Sequence, residues 1–397
     1  MLCGALVLAL GGSAVAAPAA ATQPWAQVLA RARGETVYFD AWGGDAKTND
    51  FIAWVGREVR QCCGVTLREV PLADTSEAVT QVIAEKSAGR DADGTIDLIW
   101  INGPNFLALK SRGLLYGPFA NTLPNAARVD TRIPSNVDDF TVPVAGYESP
   151  WRRAQLVLVY DSAYVSAAPR TIADLPAWVR RYPGRFTFPG VPNFLGVAFL
   201  EQALYAFVPD RTVLAHPVSE GQFRVLTRPL WAWFDRLRPY LWRHGEAFPA
   251  SGPAERQLLA DGEIDMMPSF NPAGAAVDVA AGRLPPSVRT AVFAGGTLGN
   301  TSFVAIPFNA PHQAAARVVA NFLLSPRAQA RAADIRYLGD ATVLDLAKLT
   351  PAQRARFKAL PRSAALPPPG SLREVLPEPN PWWGAQLVRA FERRYTP

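Results

Sequence analysis

A strand–turn–helix pattern occurs three times in succession between residues 36 and 113, and this repetition constrains the fold more than any other feature. The predicted strands cover residues 36–39, 65–70 and 96–101, and after a turn each is followed by a helical spacing of apolar residues. Consecutive units of this kind are typical of a parallel sheet with helices on its faces. The chain is therefore predicted to be an α/β protein.

The turn after the third strand carries side chains suited to binding. The strand itself, IDLIWI at 96–101, is apolar enough to be buried on both faces, and the sequence NGPN at 102–105 follows it. Ligands bind at such positions in open parallel sheets, because strand ends meet helix N-termini there. Trp100 offers a flat apolar surface, and the turn WGG at 42–44 is expected at the same edge of the sheet. The alternative is a plain strand-to-helix connection, since Asn, Gly and Pro are ordinary turn formers.

Length and composition indicate two lobes and argue against a nucleic-acid interface. A chain of 397 residues exceeds the usual size of one hydrophobic core, and its hydrophobic content of 49% is enough for two. A clear strand at 156–160 starts a second series of elements. The 40 basic and 34 acidic residues are interspersed along the chain. No nucleic-acid partner is predicted, because such a partner requires clustered basic residues.

The second series contains a strand at 185–188, an apolar helix at 194–207, an aromatic helix at 229–242 and a strand at 263–267. The tryptophans of the aromatic helix are interpreted as core residues. The glycine-rich segment 295–300 is interpreted as a hinge or turn, because no Lys-Ser or Lys-Thr follows it to form a phosphate loop.

The first 17 residues are predicted to be a signal peptide. Residues 2–15 are apolar and small, and the sequence AVAAP at 14–18 resembles a signal-peptidase site. No Lys or Arg precedes the apolar run, so the alternative is an uncleaved anchor or a misassigned start. We expect a soluble exported protein.

The histidines and cysteines indicate neither a metal site nor a catalytic triad. The three histidines, at 216, 244 and 312, are far apart, and each lies beside proline or in a polar loop. We therefore predict no metal, no cofactor and no enzymatic activity. Cys62 and Cys63 are adjacent, so they either form a strained ring disulfide or remain free thiols in a loop after a helix.

The chain resembles a known family through six segments, which are AWGGDAKTNDFIAWV, DTSEAVTQVIAEKSAGR, IDLIWINGPNFLALKSRGLLYGPF, PGRFTFPGVPNFLG, SFNPAGAA and GNTSFVAIPFNAPHQAAARVVANFLLSPRAQA. Together they cover nearly the whole mature chain. They are similar to the two-lobed, type II solute-binding proteins of ABC importers, and in particular to the subgroup named for thiamine transport.

The resemblance implies a periplasmic-binding-protein-like fold in which each lobe is a mostly parallel sheet flanked by helices, with a ligand cleft between the lobes. It implies lobe 1 at 34–155 plus 300–335, lobe 2 at 156–299, and a C-terminal helical segment at 336–397 that packs on the lobes. The implied function is capture of a small polar or heteroaromatic solute, such as thiamine, in the periplasm and its delivery to ABC permease subunits in the inner membrane. We expect a monomer. The alternatives from other classes are a secreted enzyme acting on a small molecule and a ligand-binding sensor module.

By position, the resemblance also implies which residues line the cleft. They are Trp42, Gly43, Gly44, Trp100, Asn102, Asn105, Glu148 and Trp151 from the first lobe and the crossing, Asn193, Phe194 and Asn271 from the second lobe, and Asn300 and Thr301 from the returning strand. A cationic heteroaromatic solute would stack on Trp42 or Trp100 and pair its charge with a carboxylate such as Glu148.

One departure from the family concerns the charge of this cleft. Arg152 and Arg153 follow Trp151 at a point where the family pattern has Gly. These two cations would suit a phosphorylated or carboxylated solute equally well. The adjacent tyrosines that bind iron in related proteins are missing from the sequence, so ferric iron is not predicted as the ligand.

Overall fold

The computed structural model describes residues 23–395, so the predicted signal peptide at 1–17 lies outside the described residues. The helices are α1 (Trp25–Ala32), α2 (Ala46–Cys63), α3 (Ser76–Ser87), α4 (Gly103–Lys110), α5 (Leu175–Arg181), α6 (Phe194–Phe207), α7 (Glu220–Leu237), α8 (Gly252–Ala260), α9 (Gly274–Ala280), α10 (Gln313–Leu323), α11 (Pro326–Ala332), α12 (Pro351–Lys358) and α13 (Pro381–Tyr395). The strands are β1 (Thr36–Trp42), β2 (Thr66–Leu72), β3 (Leu98–Ile101), β4 (Asp138–Asp139), β5 (Val142–Pro143), β6 (Glu148–Gln155), β7 (Val157–Asp161), β8 (Met266–Ser269), β9 (Val288–Ala291), β10 (Thr297–Ala305) and β11 (Val375–Leu376). None of the described helices is both long and apolar enough to cross a membrane.

Lobe 1 is built on a mixed sheet. Within residues 23–395 this sheet has six strands in the order β11-β10-β3-β1-β2, and β6 also pairs with β10. β1 pairs in parallel with β2 and with β3, which confirms the prediction from the repeated strand–turn–helix units. β10 runs antiparallel to β3 and β6, because it returns to this sheet from the other lobe.

Helices cover both faces of the lobe 1 sheet, and β3 is buried on both sides. Leu98 packs in the cluster under α2 and α10, whereas Ile99 and Ile101 pack in the cluster under α3 and α4. All three side chains are fully buried, as the uninterrupted apolar run predicts. Trp100, near the end of the strand, is only half-buried. The strand therefore anchors this edge of the sheet and leaves one tryptophan near the surface.

Helix α2 starts and ends at residues that its local sequence determines. The Asp45 carboxylate accepts a hydrogen bond of 3.0 Å from the N–H of Thr48 and caps the N-terminus. Gly64 ends the helix with φ 73°, a conformation that favours glycine. A buried stripe that includes Phe51 and Val55 holds the helix on the sheet. The position of Asp45 beside the first turn is therefore fixed by capping and packing together.

The adjacent cysteines lie in the last turn of α2, not in a loop after a helix. The sulfur atoms of Cys62 and Cys63 are bonded to each other. Of the two alternatives, the structure contains the ring disulfide.

Lobe 2 is built on the smaller sheet β8-β7-β9, with α5 to α9 packed around it. β7 runs antiparallel to both neighbours, so the mostly parallel pairing expected for each lobe does not hold here. The antiparallel pairing follows from the position at which the chain enters lobe 2. Val157, the first residue of β7, pairs with Ser269, the last residue of β8. β7 therefore leads away from lobe 1, and the turn after β8 lies close to it.

The strand predicted at 185–188 is reduced to an isolated bridge between Phe186 and Met266. The N–H groups of Asp265 and Met266 both bond to the carbonyl of Arg185, which leaves no regular ladder. Pro189 then ends the extended segment, because it has no N–H to donate.

The aromatic helix of lobe 2 is longer than predicted at its start and shorter at its end. It begins at Glu220, because Ser219 and Gln222 form a capping box upstream of the apolar positions. Pro229, which the prediction placed at the start, lies inside the helix. Trp231 and Trp233 are confirmed as core residues. Trp242 lies beyond the end of the helix and is only half-buried, so for this tryptophan the prediction is wrong.

The chain passes between the lobes three times within residues 23–395. β6 leads into β7, and β10 returns from lobe 2 to pair with β6. The C-terminal segment then adds β11 to β10 before α13 packs against α6 in lobe 2. The C-terminal segment therefore contacts both lobes.

Candidate ligand-binding site

Two tryptophans meet at the edge of the lobe 1 sheet, where the sequence placed them. Trp42 ends β1 and Trp100 lies in β3, and their ring centroids are 6.4 Å apart with the planes at 80°. Gly44 lies against the Trp42 ring, since a Cβ on it would be 2.4 Å from the indole. Gly43 packs just as closely on Pro71, since a Cβ on Gly43 would be 2.5 Å from the Cβ of the proline. The two glycines therefore permit the close packing of this aromatic turn.

One face of Trp100 is covered by Arg152. The guanidinium carbon of Arg152 lies 5.2 Å from the Trp100 ring centroid. Its Nη2 donates a hydrogen bond of 2.9 Å to Oδ1 of Asp340. Asp340 is buried, and its burial raises the pKa to about 6, with Arg152 opposing the rise and Asp45 adding to it. The positive charge noted in the sequence is thus paired with a carboxylate of the protein itself.

Asp45 and Arg256 connect the two lobes. Oδ2 of Asp45, at the start of α2 in lobe 1, lies 3.7 Å from Nη1 of Arg256 in α8 of lobe 2. The same nitrogen lies 3.5 Å from Oδ2 of Asp278 in α9. The guanidinium therefore bridges carboxylates from both lobes.

Asn271 makes a second contact between the lobes. It follows β8, and its Nδ2 donates a hydrogen bond of 2.9 Å to the carbonyl of Leu338. Its Oδ1 accepts a hydrogen bond from the N–H of Ala273. Gly339 packs on Ala273, and a Cβ on it would be 2.7 Å from the alanine side chain. The loop that carries Asp340 therefore touches lobe 2 as well as lobe 1.

Lobe 2 presents an aromatic pair of its own at the turns before α6 and after β8. The ring centroids of Phe194 and Phe270 are 5.0 Å apart. Phe194 is 43% exposed, although phenylalanine is usually buried. Asn193 accepts a hydrogen bond from the N–H of Leu195 and so caps α6. Of these two predicted site residues, Phe194 is exposed and the Asn193 oxygen is engaged by the helix.

Two predicted amides lie in the turn that follows β3 and have no side-chain hydrogen bond to any residue between 23 and 395. Asn102 is the N-cap residue of α4 without capping it through its side chain, and Asn105 lies in the first turn. Both are half-buried. Each offers two donors and an acceptor, so the pair supplies directional polar groups next to the aromatic surface.

Three other predicted residues are engaged inside the protein. Trp151 is 1% exposed and packs in the lobe 1 core. The hydroxyl of Thr301 donates to Oδ1 of Asn136 at 2.9 Å, and Nδ2 of Asn300 donates to Oε2 of Glu378 at 2.9 Å. The hydrogen bonds of Asn300 and Thr301 hold the crossing strands. Trp151 also contacts Trp100, with ring centroids 5.1 Å apart, so the structure brings this tryptophan to the aromatic turn from inside the core.

Glu148 is fully buried, and neither of its carboxyl oxygens has a hydrogen-bond partner among the described residues. Burial raises its pKa well above the ordinary value, nearby Asp139 adds to the rise, and Lys110 opposes it. A neutral carboxyl does not balance a positive charge. Asp340 pairs with the arginine that covers Trp100, and Asp45 directly follows the turn at 42–44. These two carboxylates are therefore better placed than Glu148 to balance a cationic solute.

The sequence prediction missed Asp45, Arg256 and Asp340. Asp45 could have been noticed, because it directly follows the WGG turn and can cap a helix. Asp340 is separated from Arg152 by 188 residues, and no local pattern links them. Long-range ion pairs of this kind leave no periodic signal in a single sequence.

A surface cavity of about 430 Å³ lies elsewhere, lined by residues that include Arg170, Phe293 and Arg373. It contains none of the predicted site residues and none of the side chains that join the lobes. This cavity and the aromatic turns between the lobes are therefore separate places on the protein.

Comparison with known families assigns this geometry to a class. Residues 58–360 match the family described as bacterial extracellular solute-binding protein. The chain belongs to this family. A relative, Protein YnjB of Escherichia coli (strain K12), is 42% identical over 372 residues, which is 94% of this chain and 94% of the relative.

Solved structures share the fold of this solute-binding protein. An ABC transporter structure from Clostridium perfringens ATCC 13124 covers 91% of this chain and 100% of its own, with a TM-score of 0.62 and 16% identity. An ABC transporter substrate-binding protein from Bradyrhizobium japonicum USDA 110 gives a TM-score of 0.63 at 18% identity, over 91% of this chain and 98% of its own. At these identities the similarity establishes the fold. It confirms the predicted two-lobed, type II architecture.

Proposed function

We propose that this solute-binding protein is the solute-capturing component of an ABC-type importer. Its family and the names of proteins that share its fold support this role. In this proposal the protein is exported to the periplasm, acts as a monomer, binds a small molecule between its lobes and delivers it to permease subunits in the inner membrane.

The observation that carries the proposal is that the aromatic turn lies next to an ion pair between the two lobes. The Trp42 ring lies on Gly44, and the next residue, Asp45, reaches Arg256 in lobe 2. A solute bound on the tryptophans would therefore be close to both lobes and would favour their closed arrangement. Hinge closure of two lobes around a ligand is an established type of conformational change.

The solute that fits these groups best is a small polar or heteroaromatic molecule, and thiamine is the candidate to test. Trp42 and Trp100 offer aromatic surface, and Asn102 and Asn105 offer hydrogen bonds. The charge of Arg152 is already balanced by Asp340, so Arg152 does not favour a phosphorylated solute over a cationic one. The neighbouring Arg153 is half-buried, and its burial lowers its pKa while Asp130 opposes the fall.

We propose binding without chemical conversion of the solute. The groups that contact Trp100 include the rings of Trp42 and Trp151, the guanidinium of Arg152 and the hydroxyl of Thr75. An activated nucleophile requires a neighbouring base within hydrogen-bond reach, and no such pair is formed by the side chains named above. The family of solute-binding proteins supports the same reading.

The test begins with the identity of the solute. Protein purified from its own host is analysed by mass spectrometry for small molecules that co-purify with it. The co-purifying molecule and thiamine are then each titrated into the protein by calorimetry. Small-angle scattering is recorded with and without each molecule. We expect one bound molecule per chain and a more compact particle. Binding without compaction, or conversion of the molecule to a product, would contradict the proposal.

A further inference from the structure

Arg152 occupies a position over Trp100 that a stacked solute would need. Its guanidinium carbon is 5.2 Å from the ring centroid, which is within the range of a cation–π contact. The side chain is only 12% exposed, so the guanidinium lies packed against the indole and not in solvent. A flat solute stacking on this face of Trp100 would have to displace it.

Asp340, which holds Arg152 in place, faces the guanidinium with both of its carboxylate oxygens. Nη2 of Arg152 donates to Oδ1, whereas Nε lies 2.9 Å from Oδ2 without a suitable hydrogen-bond direction. Oδ2 is buried and accepts no hydrogen bond from any residue in the range 23–395. The nearest donor to Oδ2 is Nε of Arg152, so a donor on a solute could bind this oxygen only after the guanidinium has moved.

We infer that Arg152 is a specificity-determining residue that competes with the solute, and that the solute is a flat cation which takes over both the Trp100 face and the Asp340 carboxylate. The inference rests on the proposed function and names its solute class. Exchange of one cation for another keeps the buried carboxylate compensated. Insertion of an uncompensated charge would be far more costly.

An anionic solute would place opposite demands on the same residues. It would have to bind Arg152 and draw it from Asp340, which would leave a buried carboxylate without its cation. Asp45 lies close enough to Asp340 to raise the pKa of that group, so a third negative charge would be repelled by both carboxylates. The observed pairing therefore favours a cation at this position.

The test compares thiamine binding by the wild type, Arg152→Gln, Arg152→Lys and Asp340→Asn, with calorimetry for affinity and thermal melts for folding. Arg152→Gln removes the competing charge, so thiamine should bind about 5- to 20-fold more tightly, a range set by typical cation–π energies. Arg152→Lys keeps the charge but loses the planar stacking, and should give a smaller gain. Asp340→Asn should weaken binding at least about tenfold, because the charged partner is lost.

A matched control exists outside the interlobe region. Arg327 lies 5.9 Å from the Trp54 ring centroid and 2.7 Å from Oε1 of Glu58, which repeats the arrangement of an arginine, a tryptophan and a carboxylate. Arg327→Gln should leave thiamine affinity unchanged. An equal gain in Arg327→Gln would mean that removal of any arginine acts through overall charge, and the inference would then be wrong.

The remaining outcomes separate this inference from the proposed function. Wild-type binding with no gain in Arg152→Gln and Arg152→Lys overturns the inference and leaves the solute-binding role intact. Binding by Arg152→Gln alone supports competition by Arg152 and removes thiamine as the natural solute. Failure of every folded variant to bind thiamine overturns the inference for this class of cation, while the co-purification experiment still tests the role itself. If Arg152→Gln does not fold, Arg152→Lys decides between gain and no gain.

Discussion

The carboxylate of Asp45 lies 3.7 Å from the guanidinium of Arg256, and this pair joins the N-terminus of α2 in lobe 1 to helix α8 in lobe 2. The two side chains are 22% and 29% exposed, so solvent screens their attraction only in part. The pair can exist only while the lobes are close together. It therefore contributes to the closed arrangement and is broken when the lobes separate.

Asp45→Asn should weaken solute binding without unfolding the protein. Asparagine caps helices as well as aspartate does, so α2 should keep its N-terminus. The loss of a partly screened ion pair should lower affinity about 2- to 5-fold, and the change should appear mainly in the dissociation rate. Stopped-flow release and calorimetry measure these effects, and melting curves should nearly overlap.

The control for this prediction is Arg283→Gln. Arg283 pairs with Asp278 at 2.5 Å within lobe 2, so its loss changes the same carboxylate without touching lobe 1. Affinity should stay unchanged. If Arg283→Gln lowers affinity as much as Asp45→Asn does, the effect comes from the surroundings of Asp278 and not from the ion pair between the lobes.

Trp100→Ala should reduce affinity and also reduce stability by a moderate amount. The ring is half-buried and contacts Trp42 and Trp151, so its removal leaves a partly solvated gap and not a closed cavity. We expect a loss of about 1–3 kcal/mol in binding. Trp233→Ala, at a fully buried position in lobe 2, should instead lower the free energy of unfolding by about 3–5 kcal/mol. Normal affinity in folded Trp100→Ala would remove Trp100 from the site.

Asn102 and Asn271 should respond differently to substitution by alanine. The Asn102 amide has no side-chain hydrogen bond within residues 23–395, so Asn102→Ala should lower affinity and leave the melting temperature nearly unchanged. Asn271 bonds to both Leu338 and Ala273, so Asn271→Ala should lower the melting temperature as well. A lower melting temperature with normal affinity in Asn102→Ala would show that this amide serves the turn.

Glu201 should make the stability of lobe 2 depend on pH. Burial raises the pKa of its carboxyl to about 8, so the folded state holds the proton more tightly than the unfolded state does. This contribution is fully present below the pKa of the unfolded chain, near 4.5, and is lost as the pH rises towards 8. Glu201→Gln should therefore be close to the wild type in stability at pH 4.5 and be more stable at pH 8.5, by on the order of 4–5 kcal/mol.

Other buried carboxyls titrate in the same range, so the readout for Glu201 is the difference between variant and wild type at each pH. Glu220→Gln is the comparison, because Glu220 lies on the surface with its side chain 88% exposed. Its difference from the wild type should stay near zero across the range. A difference for Glu201→Gln that does not change with pH would show that its carboxyl is already ionised in the folded protein.

Local sequence was sufficient for the parts of the fold that depend on local contacts. The apolar run of β3, the turn at 42–44 and helix α6 have periodicity and capping signals within a few residues. Trp42 and Trp100 could be placed together because parallel strands bring their carboxyl ends to one edge. Pro229 misled the prediction, since proline is usual at a helix start and a distant capping box overruled it.

The parts that could not be predicted depend on residues far apart in the chain. Arg152 was noticed as a charge, but its neutralisation depends on Asp340, and a pattern search compares only near neighbours. Trp151 stands in the polar stretch ESPWRRAQ and Trp100 in an apolar run, yet it is Trp151 that is buried, because α2 packs on it through Phe51. Burial at a given position is decided by the tertiary neighbours, which a single sequence does not specify.

The C-terminal segment forms a third connection between the lobes, in addition to the two crossing strands. Its strand β11 pairs with β10, and its helix α13 packs on α6. Two adjacent strands can twist about each other, whereas a third connection beside them resists torsion and leaves bending as the softer motion. Nδ2 of Asn300 in β10 donates a hydrogen bond to Glu378, which follows β11, so this connection is attached to the crossing strand itself. Each time the lobes close, the Asp45 and Arg256 side chains would then return to the same relative position. A cut in the chain between 366 and 374 should make that position less well defined without unfolding either lobe.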